Sequence, residues 1–83
     1  MDMRKLVARN VKRIRLEKGL TQERLAERSG HTQQYISELE RGQGNPTIVS
    51  VHEIAQALGV THLDLLRVDD PAPSESGDRT AAR

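Results

Sequence analysis

Hydrophobic residues in the first part of the chain recur at helical spacing. Met3, Val7, Val11 and Ile14 follow one another at intervals of four, four and three residues, which places them on one face of an α-helix. Gly19 can end such a helix in a left-handed conformation. The pattern therefore predicts a first helix that stops just before Gly19.

Two short helices are predicted next, with very little chain between them. Thr21 is a good N-cap for a helix over about 22–29, which Gly30 ends, and Thr32 can cap a third helix over about 33–41. Two helices separated by only about three residues must cross at a steep angle. This spacing predicts a helix-turn-helix.

The second half of the chain predicts two more helices. A fourth opens at Thr47 and places its apolar residues at helical spacing, which predicts that it buries Ile48, Val51, Ile54, Ala55 and Leu58. Gly59 closes it. Thr61 then caps a fifth helix, with Asp64 three residues later as the acid of a capping box. The expected fold class is all-α, a compact domain of five helices over residues 1–68.

Residues 69–83, DDPAPSESGDRTAAR, have a different character. They show no apolar periodicity and are rich in proline, serine and acidic residues, so they cannot bury enough surface to order themselves. We expect a disordered acidic tail. A chain of 83 residues has room for one domain.

Composition excludes several classes of protein. The chain has no cysteine, so it has no disulfide, thiolate zinc site or cysteine nucleophile, and it fits a reducing compartment. Its apolar runs are far shorter than the roughly 20 residues that span a bilayer. Tyr35 is the one aromatic residue, which excludes a stacking platform for single-stranded nucleic acid. We expect a cytoplasmic protein that needs no cofactor.

Charge is distributed unevenly along the chain. The formal net charge is only +1, yet residues 1–18 contain seven basic and two acidic residues, while residues 69–83 contain two basic and four acidic ones. Such asymmetry indicates a polyanionic partner better than net charge does. A basic helix face that is merely solvated explains the charge alone equally well.

The segment from Gln22 to Arg41, QERLAERSGHTQQYISELER, resembles the helix-turn-helix of the phage repressor and Cro family, also called the Xre family. The resemblance extends from about Leu6 to Leu66, through RIRLEKGLTQERLA, ELERG, NPT and ALGV. It implies a repressor-like five-helix fold and a transcriptional regulator that binds specific sequences of double-stranded DNA.

A helical wheel of the third predicted helix separates two faces. Ile36 and Leu39 point inward, whereas the opposite arc carries Gln33, Gln34, Ser37, Glu38 and Arg41. A glutamine amide matches the donor and acceptor of adenine in the major groove. The resemblance implies base contacts from Gln33, Gln34 and Glu38, assisted by Thr32 and Ser37.

The resemblance also implies contacts to the DNA backbone and one internal ion pair. The expected backbone contacts are Gln22, at the start of the second helix, and Tyr35, Arg41 and Asn45, with Lys12 or Arg13 as further candidates; of these the resemblance implies Gln22. On the helical wheel Tyr35 lies between Leu39 and Glu38, so its hydroxyl reaches a phosphate or, equally well, its ring serves packing alone. The implied ion pair joins Arg15 to Glu40 in a partly buried position, which turns Glu40 away from DNA.

A dimer is expected because one module of this size rarely buries enough surface for specific DNA binding. Leu63, Leu66 and Val68 have nothing left in the chain to cover all of them, so the fifth helix is the predicted self-association surface. Such a dimer would read a near-palindromic operator.

Two other functions compete with DNA binding. An enzyme or metal site is improbable, because His31, His52 and His62 are scattered and no glycine-rich phosphate loop follows a strand. The alternative from another class is an antitoxin-type protein-interaction module with autoregulatory DNA binding, in which the acidic tail serves an unknown protein partner.

Overall fold

The computed structural model describes residues 2–68 as a bundle of α-helices. Five helices follow one another without a strand among these residues: α1 (Met3–Glu17), α2 (Gln22–Ser29), α3 (Gln33–Glu40), α4 (Ile48–Leu58) and α5 (His62–Leu66). The predicted all-α fold class is confirmed. The expected acidic tail, 69–83, lies outside the described residues.

Threonine side chains begin four of the five helices. The hydroxyl oxygens of Thr21, Thr32, Thr47 and Thr61 each accept a hydrogen bond from the backbone N–H three residues later, which satisfies one of the free donors at a helix start. Gly30 and Gly59 end α2 and α4 in the left-handed conformation. The predicted helix boundaries are therefore confirmed to within a residue, with Arg41 as the cap of α3 rather than its last residue.

Every helix contributes to one hydrophobic core. Five completely buried side chains, one from each helix in chain order, meet there: Val11, Leu25, Ile36, Ile54 and Leu65. Because α1 packs against both α3 and α5, its buried face is wider than the predicted stripe and also includes Leu6 and Ala8.

Two residues that the pattern assigned to the apolar faces are exposed. Ile48 was expected in the core, but 88% of its surface is exposed, and Met3 is 56% exposed. Each is the first residue of its helix, where the helix extends past the edge of the core. Both line one shallow groove on the surface of the domain.

Candidate nucleic-acid interface

The exposed face of α3 carries the polar residues that the sequence predicted there. Thr32, Gln33 and Gln34 are exposed at its N-terminal end, whereas Ser37 and Glu38 are partly buried. On the opposite face, Ile36 and Leu39 lie in the core. The core thus fixes which side of α3 meets solvent.

Two pairs of polar side chains on this face hydrogen-bond across one helical turn. The Gln34 amide Nε2 donates to a Glu38 carboxylate oxygen at 3.3 Å, and Arg41 Nη1 donates to Ser37 Oγ at 3.0 Å. Residues four apart on a helix are neighbours, so these contacts follow from spacing. They give the free protein an ordered polar surface on this face.

A buried ion pair joins α3 to α1. The Arg15 Nε donates to Glu40 Oε2 at 2.6 Å, and Arg15 Nη2 donates to Glu40 Oε1 at 3.0 Å. The two side chains are 9% and 3% exposed. The remaining Arg15 Nη1 donates to the carbonyl of Leu20 at 2.7 Å, in the connection before α2. Glu40 therefore lies inside the domain and not on the polar face of α3.

Gln22 completes this network from the start of α2. Its Nε2 donates to Glu40 Oε1 at 3.1 Å. An amide nitrogen has two protons, so one remains for another acceptor. The contact orients the Gln22 side chain beside the free N–H groups of the helix N-terminus, which attract anions.

Tyr35 lies between α3 and α4, with its hydroxyl held inside the protein. The Tyr35 hydroxyl donates to Ser50 Oγ at 3.0 Å, and the ring stacks on His31 with centroids 4.5 Å apart. His31 Nε2 lies 3.1 Å from a carboxylate oxygen of Glu53 on α4. The tyrosine hydroxyl has a single proton to donate, and a phosphodiester group can only accept a hydrogen bond. In this arrangement Tyr35 cannot donate to DNA phosphate unless it releases Ser50.

A second surface near α3 is basic. An open groove of about 230 Å³, here called the basic groove, is lined by Lys5, Ala8, Arg9, Glu40, Arg41 and Gly42. Lys5, Arg9 and Arg41 are exposed, while the Glu40 carboxylate is bonded to Arg15. Gly42 has a φ of +78° and comes so close to α1 that a Cβ there would lie 3.4 Å from Lys5 Cγ. Cations from α1 and α3 therefore meet in one place.

The two further candidates for backbone contact on α1, Lys12 and Arg13, differ in their contacts. Lys12 is exposed, whereas Arg13 donates to Glu17 at 3.3 Å and to Asn10 Oδ1 at 3.4 Å. Arg13 is thus engaged along its own helix. Asn45 is exposed in the α3–α4 connection.

The predicted self-association surface is partly exposed. Leu63 and Val68 are 62% and 56% exposed, while Leu66 is half-buried. Leu66 also lines the shallow groove of about 380 Å³ together with Met3, Val7, Pro46, Ile48 and Val51. Apolar surface thus continues from α5 to the starts of α1 and α4.

The histidines lie in two places in the fold, and their spacing in the sequence did not predict this grouping. His52 and His62 approach with ring centroids 5.9 Å apart, and His31 lies beside Tyr35. Within residues 2–68, no three or more histidine or acidic side chains form a group that could hold a metal ion. In the same part of the chain, no helix has the length and apolar character needed to cross a membrane.

Two residues with defined roles here were missed from the sequence. Ser50 forms a capping box with Thr47 and accepts from Tyr35, and the signal for it was weak because serine is an uncommon third residue of that motif. Asn10 is completely buried on α1. The sequence did carry a signal for this residue, because Asn10 places a polar amide inside the apolar stripe, three residues after Val7 and four before Ile14.

Comparison with known proteins places this geometry in a family. A family model described as helix-turn-helix, HTH_3, matches residues 11–65. An HTH-type transcriptional regulator of Sinorhizobium fredii, y4dJ, is 58% identical over 73 residues, which cover 88% of this chain and 95% of that protein.

Solved structures agree with this placement. A hypothetical transcription factor from Neisseria, NHTF, matches with a TM-score of 0.79 at 35% identity, over 82% of this chain and 78% of that one. The wild-type restriction-modification controller protein C.Esp1396I matches with a TM-score of 0.73 at 40% identity, over 78% and 84% of the two chains.

Proposed function

Because the chain belongs to the helix-turn-helix family of transcriptional regulators, HTH_3, we propose that it binds specific sequences of double-stranded DNA through α3. The observation that carries the proposal is the polar face of α3, exposed on one side and fixed from behind by the core and by the Arg15–Glu40 ion pair. The proposed activity is binding, without catalysis or a cofactor, and the proposed location is the cytoplasm.

Base recognition is assigned to the N-terminal half of α3. Gln33 and Gln34 are exposed where a helix entering the major groove first meets base edges. A glutamine amide can donate to adenine N7 and accept from adenine N6 at the same time. One good bidentate contact of this kind discriminates by about 1–3 kcal/mol. Glu38 can accept from cytosine N4. Thr32 and Ser37 are placed to assist.

Backbone binding is assigned to residues that flank α3. Gln22 stands at the start of α2, and Arg41 and Asn45 lie at and beyond the end of α3. To these we add Lys5 and Arg9 of the basic groove, since they lie beside Arg41. Cations that neutralise phosphates supply most of the sequence-independent affinity of DNA-binding proteins.

For Tyr35 we propose the packing role, one of the two alternatives that its place on the helical wheel leaves open. Its hydroxyl is bonded to Ser50 and its ring is stacked on His31. We assign it to holding α3 against α4. Contact between its ring and the DNA backbone remains compatible with this role, but donation to phosphate requires that the Ser50 bond break.

We propose that two copies bind one operator. A single module of this size covers about 600–1,000 Å² on DNA, which is small for specific binding. The exposed Leu63 and Val68 of the α5 region, continuous with the apolar groove at Leu66, supply the contact. Two α3 helices one DNA turn apart, about 34–36 Å, read a near-palindromic site.

Selection of bound sites from random duplex DNA tests the proposal. The expected result is a pair of related half-sites whose centres lie about 10–10.5 base pairs apart. The matched control is the protein with both Gln33 and Gln34 replaced by alanine, which should lose enrichment at fixed positions within each half-site. Failure of the wild-type protein to enrich any sequence would contradict specific binding, and enrichment of one isolated half-site would contradict the dimer.

A further inference from the structure

Asn10 places an amide group in the interior of the domain, whose buried side chains are mostly hydrocarbon. The residue is completely buried in the middle of α1. Its Nδ2 donates to the carbonyl oxygen of Leu65 at 2.8 Å and to that of Arg67 at 2.8 Å. Both protons of the amide are therefore used, and both go to a segment more than fifty residues away.

The two carbonyls that Asn10 binds lie at the C-terminal end of α5. The last four carbonyls of any helix lack partners within the helix, and α5 has only five residues. α2 and α4 end on left-handed glycines, a conformation that satisfies such carbonyls. α5 ends instead on Arg67 in extended conformation. The Asn10 side chain takes the place of that cap.

The two ends of α5 are consequently fixed by different parts of the chain. Thr61 and Asp64 form the capping box at its start, a contact within the segment itself. Its end is fixed from α1, through the amide of Asn10 and the packing of the completely buried Leu65. The bond to the carbonyl of Arg67 also sets the path of the chain into the exposed Val68.

We infer that Asn10 is a positioning residue for self-association: it holds the end of α5 and the adjoining Val68, beside Leu63, in the orientation that a second copy of this chain meets. The inference rests on the dimer given under the proposed function. The Asn10 amide donates to the end of α5 and not to α3. Replacing it should therefore weaken dimerisation and leave the contact of one protomer with DNA unchanged.

The first variant for the test is Asn10→Leu, which keeps nearly the same shape but donates nothing. The buried carbonyl of Leu65 and the partly buried carbonyl of Arg67 then lose their partner, which is costly for polar groups away from water. The matched control is Val11→Ala, which alters the next residue of α1, also completely buried, without removing any donor. Should Asn10→Leu fail to fold, Asn10→Ala serves instead, because the space it leaves can admit water to the carbonyls.

Three measurements on the full chain decide the matter: hydrogen exchange of the α5 amides, the dimer dissociation constant by sedimentation, and affinity for a selected half-site and for the full site. For Asn10→Leu we expect hydrogen exchange of the α5 amides to accelerate and the dimer dissociation constant to rise, each by about tenfold or more. Full-site affinity should fall accordingly, while half-site affinity stays within about twofold. Val11→Ala, at a temperature matched for equal global stability, should leave the dissociation constant unchanged.

Failure of the proposed dimer and failure of the inference about Asn10 give different results. A monomeric wild-type protein overturns the proposed dimer and this inference with it. A dimeric wild-type protein whose Asn10→Leu variant dimerises equally well overturns the inference alone. Equal weakening of dimerisation by Asn10→Leu and by Val11→Ala, or equal loss of half-site and full-site affinity, shows that Asn10 acts only through the stability of the core.

Discussion

Arg15 and Glu40 meet in the interior with Nε and Oε2 2.6 Å apart, although they are separated by 25 positions in the chain. Glu40 accepts two hydrogen bonds from Arg15 and a third from Gln22. The carboxylate of one α3 residue is thus held by side chains from both α1 and α2. Together with the buried Ile36 and Leu39, this contact fixes how α3 is presented to solvent.

Replacing Glu40 by alanine should destabilise the fold by about 3–5 kcal/mol, because it leaves the buried Arg15 guanidinium without its partner. Chemical denaturation measures the loss. Glu23→Ala is the control, since it removes an exposed acid from the first turn of α2. An unchanged melting temperature in Glu40→Ala would show that the pair does not stabilise the domain. Replacing both partners by hydrophobic residues should recover much of the stability.

Gln33→Ala and Gln34→Ala should relax base preference at fixed positions in each half-site, by about 1–3 kcal/mol of discrimination at each. Gln22→Ala should weaken binding to all sequences alike, since its proposed contact is to phosphate. Competition binding with single-base operator variants separates the two patterns. Because Gln22 also donates to Glu40, its variant is compared at a temperature where it is fully folded. Equal losses on every sequence from all three variants would refute this division of roles.

Lys5→Gln and Arg9→Gln in the basic groove should each reduce the slope of log affinity against log salt by about 0.9, the effect of one lost phosphate contact. Base preference should not change. Arg67→Gln, at the cap of α5 and outside the groove, removes the same charge and should leave the slope as it was. Slopes identical to the wild type in Lys5→Gln and Arg9→Gln would remove this groove from the DNA interface.

Tyr35→Phe tests whether the hydroxyl stabilises the protein or binds DNA. If its role is the bond to Ser50, the variant should lose about 0.5–1.5 kcal/mol of folding stability. Its affinity for the operator should remain near that of the wild type. Thermal denaturation and a binding isotherm on the same sample are sufficient. Unchanged stability with clearly weaker binding would favour the phosphate contact, the other role that the helical wheel left open for Tyr35.

Asp64 should titrate below its ordinary value in the folded protein. The backbone N–H and the hydroxyl of Thr61 both donate to its carboxylate and lower its pKa. A carboxyl whose pKa is lower in the folded state stabilises the fold above its unfolded pKa, and this contribution is lost as the pH falls through the folded pKa. Carboxyl NMR titration measures the shift, and the protection of the α5 amides, taken relative to their intrinsic exchange rates at each pH, should fall over the same acid range. Asp64→Asn should abolish that pH dependence; a midpoint at or above 3.8 would contradict the cap.

The sequence predicted those parts of the fold that depend on nearby residues. The threonine caps and the Thr61–Asp64 capping box involve residues three positions apart, so a local pattern is enough to specify them. The exposed face of α3 also followed, since helical periodicity separates Ile36 and Leu39 from the glutamines. The roles of those glutamines on DNA are still predictions.

What the sequence could not give depends on tertiary packing. Tyr35 finds Ser50 fifteen positions away, and Asn10 finds carbonyls 55 and 57 positions away. Periodicity assigns a residue to a face but does not say whether a neighbour covers it. Ile48 shows this, because it belongs to the apolar pattern of α4 and yet extends beyond the core.

The side-chain pairs on the face of α3 bear on how the protein searches a genome. Gln34 hydrogen-bonds to Glu38 and Arg41 to Ser37, so these four side chains already have partners while the protein passes over incorrect sequences. Sliding along non-cognate DNA can then rely on phosphate attraction alone. Under the proposed function, the base edges of the correct site replace these intramolecular partners, and the protein stops where the exchange is favourable.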